Sequence, residues 1–263
     1  MLFVGNRDAS WRWVPSAIRG QEAVVLAEGF PRVPVPDPGP AADGRRYAID
    51  VEMGAGGAAR VRVAESHAGA TASVWRRTFR QVPEAELGRL MRENYVGRLF
   101  PGATVQDFVV ENAAAREEAL RMGFVADVPR FGRPAGNAVL VPNLFATDLA
   151  RALAQRPARE TTLGVGAQSL EVVTTIRGIV APEQSVARLP LVELEGYGGS
   201  RYRREARVED GAVVVHRSLT LPEMNVPPEA YEAFAAFCRA VSQADVPEVP
   251  VVPAAGARTA AND

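Results

Sequence analysis

Lysine is missing: all thirty basic side chains of this 263-residue chain are arginine. With Ala, Val, Pro and Gly abundant, this reads as a coding bias rather than a demand for guanidinium chemistry, so arginine clusters are discounted. Thirty-one acidic residues bring the net charge to -1, which excludes a global field that would draw in nucleic acid or an anionic membrane. Cysteine is reduced to Cys238, which excludes an intrachain disulfide and a secreted framework of the cystine-rich kind. Only His67 and His216 are available as imidazoles, and C-x-x-C, H-E-x-x-H and D-x-D-x-D-G patterns are all absent. That argues against a metal site. LGVGAQS at 163–169 lacks the third glycine of a dinucleotide loop, and no G-x-S-x-G elbow occurs, so neither a nucleotide cofactor nor a serine nucleophile is expected. No apolar run nears the roughly 18 residues of a membrane span. The opening MLFVGNRDASWRW has no basic segment leading into an apolar one, so no export signal is expected and a soluble chain is.

What is present is strand grammar. LFVG and EAVVLAEG predict two short strands within 1–28, and FPRVPVPDPGPAADG, with five prolines from 31 to 40, predicts a linker. RRYAIDVEM, ARVRVAES and TASVWRRTF alternate apolar and polar residues between Gly- and Ala-rich turns, which predicts three antiparallel strands. VPEAELGRLMRENYVGRLF changes period, with Leu87, Leu90, Met91, Tyr95 and Leu99 three and four apart, and predicts a helix. ATVQDFVVEN returns to strand. AAAREEALRMGF has helical propensity where a further strand is expected. After a composition shift at QRPARET, residues 155–161, four more strand-like runs follow, the last two flanking the hairpin signal Asp210-Gly211. A final helix places Tyr231, Phe234, Phe237, Cys238 and Val241 on one stripe. The expectation is a mainly β chain of antiparallel, sandwich-like modules with two amphipathic helices, near 84–99 and 227–243. Three segments are expected: 1–40, 41–156 and 157–263.

Two sets of residues stand out for function. Cys238 and His216 are the one conceivable thiol–imidazole pair, yet Cys238 sits mid-helix, far from the N-terminus where a helix dipole would activate it. Core packing is therefore the expected role of Cys238. Trp11 and Trp13, two apart on an extended stretch, suggest a partner or ligand surface, with packing between elements as the alternative. The cluster Arg201, Arg203, Arg204 and Arg207 is expected to divide between the two faces of a strand, beside neutralising acids.

The order R-x-x-x-V-x-D-G-x-V-V-V-x-R-x-L at 204–219, followed by V-P-P-E-x-Y-x-x-F-x-x-F at 226–237, resembles the carboxy-terminal region of bacterial transglutaminase-like proteins. V-P-S-A-I-R-G-Q-E-A-V-V-L at 14–26 is similar to the segment leaving the papain-like core of that family. G-A-T-A-S-V-W-R-R at 69–77 and F-P-G-A-T-V at 100–105 resemble the module after it. The resemblance implies the β-rich region that follows a core whose activity uses a Cys-His-Asp triad. No position here matches that nucleophile or base, and the context of Asp8, N-R-D-A-S-W, does not fit the triad aspartate; no catalytic residue is carried over. It further implies a partner, a transglutaminase-like or peptidase core on another chain, with a peptide or glycan ligand as alternative. An envelope or periplasmic location is implied too, against a cytoplasmic one if the written start stands.

Overall fold

The computed structural model describes residues 8–254. The predicted strand at 2–5 lies outside them. An initial hairpin of β1 (Glu22–Val24) and β2 (Arg32–Pro34) stands as its own two-stranded sheet, so the proline run holds a strand as well as a linker. Then follow β3 (Gly44–Met53) and β4 (Ala59–His67), joined by a glycine turn. Gly57 in that turn has φ +83°, and a Cβ there would meet the Gly132 carbonyl oxygen at 2.1 Å, so only glycine fits.

Residues 69–81 correct the strand expected from TASVWRRTF: they form helix α1 (Gly69–Gln81). Alternation around Val74 and Thr78 imitates a strand, but a carboxylate from outside the segment decides the matter. Asp43 accepts the Ala70 N–H at 2.8 Å, which satisfies a free amide of the first turn and sets a negative charge at the helix start. The second helix is found where its period places it: α2 (Glu84–Leu90) runs through a π turn, Met91–Val96, into α3 (Gly97–Leu99).

The chain continues with β5 (Thr104–Glu111) and β6 (Leu120–Val128). The helical propensity of 113–119 is not realised. Arg76 of α1 donates to the carbonyls of Ala115 and Glu118 at 2.9 and 2.7 Å, which holds this stretch as a loop, and Leu120, Met122, Phe124, Ala126 and Val128 then alternate into the core. Short elements follow: β7 (Arg133–Ala135), β8 (Ala138–Val141), α4 (Leu149–Leu153) and β9 (Leu163–Val165). The last third comprises β10 (Gln168–Gly178), α5 (Pro182–Val186), β11 (Val192–Gly196), β12 (Ser200–Glu209), β13 (Ala212–Leu221), β14 (Met224–Val226), α6 (Tyr231–Asp245) and β15 (Val249–Val251). Asp210 and Gly211 both have positive φ, 50° and 71°, the turn that matches the twist of a two-residue hairpin.

The molecule is mainly β. Eight strands share one mixed sheet in the order β11-β12-β13-β10-β3-β4-β6-β5. Neighbours are antiparallel except β10 and β3, which run parallel through ten residue pairs, Ser169↔Gly44 to Gly178↔Met53. Segments 41–156 and 157–263 thus supply adjoining strands of one sheet, and the composition shift at 155–161 falls in a loop. A single large core cluster runs through both, from Ile49, Val61 and Phe124 to Val215, Leu219, Phe234 and Cys238. It fills the space between one face of the sheet and α6 with the chain around Leu144 and Leu149. The other face turns Arg46, Asp50, Arg62, Arg121, Arg177, Arg201 and Arg203 to solvent.

Candidate functional site

Strand alternation puts every second residue on the covered face, and one row across it is polar where hydrocarbon is expected. Reading by register, Arg204 neighbours Arg217, Arg217 neighbours Val172, Val172 neighbours Tyr47, and Tyr47 neighbours Glu65. Two hydrogen-bonded clusters occupy this row.

The first closes α6 on the sheet. Arg217 and Asp245 are each only 1% exposed, and Arg217 Nη1 donates to Asp245 Oδ1 at 2.9 Å. The same oxygen accepts the Tyr202 hydroxyl at 2.8 Å, while Asp245 Oδ2 accepts the Thr147 amide at 2.6 Å. Arg217 Nη2 also donates to the Leu144 carbonyl, and Arg204 Nη1 donates to the Ala244 carbonyl at 2.5 Å. Cations thus meet the carbonyl end of α6, where the helix dipole is negative. Burial first, then the Asp245 carboxylate, raises the Tyr202 phenol far above its usual value.

The second cluster contains a carboxylate and an imidazole. Glu65 is 3% and His67 1% exposed. His67 Nε2 lies 3.0 Å from Glu65 Oε2, and the Tyr95 hydroxyl donates to Glu65 Oε1 at 2.7 Å. Tyr95 is delivered by the π turn, whose extra residue rotates its side chain onto the sheet. Aromatic rings wall the pair: Tyr47 edge-on to His67 at 5.8 Å and stacked on Phe145 at 3.9 Å, with Trp75 edge-on to Tyr95 at 5.2 Å. His67 Nδ1 is buried without a hydrogen-bond partner among the described residues. Burial, with the charge of Glu65 second, pushes the Tyr47 phenol up to about 12 and the Tyr95 phenol higher still. These are acid–base parts; Glu65 and His67 are buried, while Tyr95 is half-buried. A reacting group would have to come within about 3 Å of the imidazole, past the half-buried rings of Tyr95, Trp75 and Phe145. The arrangement ties α1 and the π turn to β4.

The thiol and imidazole weighed in the sequence lie apart. Cys238 is fully buried in the α6 stripe with Phe234, Phe237 and Val241, and burial raises its thiol from 9.0 to about 11. His216 follows the opposite alternation of β13. Val215, Arg217, Leu219 and Leu221 are buried on the α6 side, whereas His216 turns to the other face beside Glu171 at 3.2 Å and Glu205 at 3.7 Å. The sheet lies between the two groups, so the thiol-enzyme alternative that joined Cys238 to His216 has no geometric basis.

Trp11 and Trp13 part company as well. Trp11 is exposed, its amide held by the Arg116 carbonyl at 2.8 Å. Trp13 is half-buried and donates Nε1–H to Asp43 Oδ1 at 2.8 Å. Asp43 Oδ2 meanwhile accepts Arg19 Nη2 at 2.5 Å. Asp8 is buried and ion-paired to Arg80. Of the arginine cluster, Arg201, Arg203 and Arg207 pair with Glu195, Glu193 and Glu209 on the open face, while Arg204 reaches under α6.

Among the described residues, no three His, Cys, Asp or Glu side chains group as metal ligands, and no helix is long and apolar enough to cross a membrane. No family model, curated protein or solved structure matches the chain.

Proposed function

We propose that this chain works by binding, as a non-catalytic interaction module whose working surface is the open face of the eight-stranded sheet. One observation carries this reading: the two faces are built unequally. On the covered face the ionisable groups are spent on internal hydrogen bonds around Asp245 and Glu65. On the other, cross-strand arginine–carboxylate pairs such as Arg203–Glu193, Arg46–Glu171 and Arg177–Asp50 stand in solvent. Exposed pairs of this kind contribute only about 0–1 kcal/mol each to folding, so they are free to be exchanged for a partner's charges. Their mixed signs suit a protein surface of alternating charge and disfavour a polyanion.

The partner in this proposal is a papain-like transglutaminase or peptidase core on another chain, in keeping with the resemblance at 204–237. The test is titration of a purified papain-like transglutaminase core into the chain by calorimetry. Saturable one-to-one binding, weakened at least tenfold by Glu171→Arg with Arg203→Glu, is the expected result. Heat of dilution alone, or binding indifferent to the reversal, would refute it. A second reading, a peptide or glycan site, rests on the exposed indole of Trp11; quenching of Trp11 emission by a soluble glycan or peptide, abolished in Trp11→Ala, would favour it.

A further inference from the structure

Among the described residues, the other ion pairs of the open face, Arg177–Asp50, Arg201–Glu195 and Arg207–Glu209, are isolated twosomes. One line of charge is continuous. Arg46 Nε lies 3.3 Å from Glu171 Oε2, and Glu171 Oε1 lies 3.2 Å from His216 Nε2. His216 Nδ1 lies 3.7 Å from Glu205 Oε1, Arg203 Nη2 donates to Glu205 Oε2 at 2.6 Å, and Arg203 Nε lies 3.1 Å from Glu193 Oε1. The line crosses β3, β10, β13, β12 and β11, which adjoin in the sheet in that order. Networks of this kind hold their geometry better than single exposed pairs. Its centre is also its most sheltered part: the His216 and Glu205 side chains are 27% and 31% exposed, against 74% for Arg46 at one end, so charge at the centre is screened least.

The signs along this line alternate only when His216 carries a proton. Imidazole is the side chain whose charge ordinarily changes between pH 5 and 8, whereas the carboxylates and guanidiniums of the line stay ionised there. An imidazolium has an N–H on each ring nitrogen and can donate to both Glu171 and Glu205. A neutral imidazole has one N–H, so its other nitrogen turns a lone pair towards a carboxylate oxygen. Loss of the proton thus leaves two arginines against three carboxylates, with the uncompensated negative charge between Glu171 and Glu205. Nothing else nearby makes this good. The residue opposite His216 on β10 is Val173, its neighbours on the same face of β13 are Val214 and Ser218, and Arg207 on β12 is already paired with Glu209.

We infer that Glu171 and Glu205 receive a basic side chain of the protein partner when His216 is neutral, and that the imidazolium competes for the same two carboxylates. This rests on the reading of the open face as the binding surface and adds its regulation: a proton on His216 closes the site, and its loss opens it. The sign follows from linkage. Proton and partner each weaken the other's binding by the same factor, so docking releases a proton and affinity rises with pH, by up to about tenfold per pH unit while His216 is protonated in the free chain.

Two measurements on the full chain test it. In the chain alone, carbon-13 NMR of the Glu171 and Glu205 carboxyl groups is followed from about pH 5 to about pH 8. Both are expected to shift with the midpoint of the His216 imidazole and to lose that step in His216→Gln. Calorimetry with the purified papain-like transglutaminase core then compares about pH 5.5 with about pH 8. The parent is expected to bind at least tenfold more weakly at the lower pH; His216→Gln, which fixes the neutral state, binds tightly at both, and His216→Arg, which fixes the cation, binds weakly at both. Absence of binding at either pH in every variant would refute the interaction surface, and with it the receiving of a partner's side chain, even where the NMR step is present. Binding that occurs but is indifferent to pH, tightens towards pH 5.5, or keeps its pH dependence in His216→Gln would overturn this inference alone. So would carboxyl signals that ignore the imidazole.

Discussion

Arg217 on β13 and Asp245 at the end of α6 form a buried ion pair at 2.9 Å, and Tyr202 and Thr147 complete the coordination of the carboxylate. Removal of one partner from such a pair strands the other charge in a low-dielectric core, at a cost of about 3–5 kcal/mol. Arg217→Met is therefore expected to lower the urea midpoint sharply, while Tyr202→Phe, losing one hydrogen bond to a charged acceptor, costs about 1.5–3 kcal/mol. Arg217→Met combined with Asp245→Leu is expected to recover much of the loss. Equilibrium urea unfolding of the three variants measures all of this.

Asp43 gathers the Trp13 indole, the Arg19 guanidinium and the Ala70 amide. Asp43→Ala leaves Arg19 buried without its counter-charge, an expected loss of about 3–5 kcal/mol. It also frees the start of α1 and the segment around Trp13. Red-shifted tryptophan emission and early proteolysis between residues 12 and 20 are the expected signatures. Gly69→Ala should act in the same direction, since φ is +53° there and a Cβ would lie 2.2 Å from Asp43 Oδ1.

Alkali should loosen the molecule before acid chemistry is relevant. Cys238 and Tyr47 are neutral when protonated, and the fold raises them from 9.0 to about 11 and from 10.0 to about 12, chiefly by burial. The native state thus favours the protonated forms. The stability they carry is complete below the unfolded-state values and is lost as pH climbs through about 11 and then about 12. Melting temperature against pH is expected to be flat up to pH 9 with respect to these groups and to fall above it, with the fall delayed in Cys238→Ala.

At neutral pH the Cys238 thiol of the native chain should react with iodoacetamide far more slowly than that of the urea-unfolded chain, because labelling requires an opening of the α6 stripe. Cys238→Ser is expected to destabilise by about 1–3 kcal/mol, because it places a polar hydroxyl in the apolar stripe of α6. Fast native labelling would show an open, activated thiol and would contradict the buried position.

Tyr95→Phe removes a donor from Glu65 Oε1 and leaves buried carboxylate oxygen unsatisfied, at an expected cost of about 1–3 kcal/mol. Hydrogen exchange should localise the loosening to the π turn, residues 91–96, and the end of β4.

The β-rich class, the strands from Arg45 to Ser66 and from Ser169 to Leu221, the Asp210-Gly211 turn and the two periodic helices were all determined by the sequence. Alternation of two and spacing of three and four are local consequences of backbone geometry, and positive φ at a hairpin turn selects glycine directly. The packing of Cys238 followed from its place on an aromatic stripe. Only tertiary structure decided the rest. Residues 69–81 form a helix whose start is held by Asp43, which arrives from another part of the chain to accept the Ala70 amide. β10 joined β3 in parallel because long-range pairing has no local signature. Glu65 and His67 showed in the sequence merely as a polar end to an apolar alternation, and their meeting with Tyr95 depended on how the π turn is laid across β4. Local stereochemistry is written residue by residue, whereas which buried charge finds which counter-charge depends on contacts between distant segments that exist only once the chain has folded.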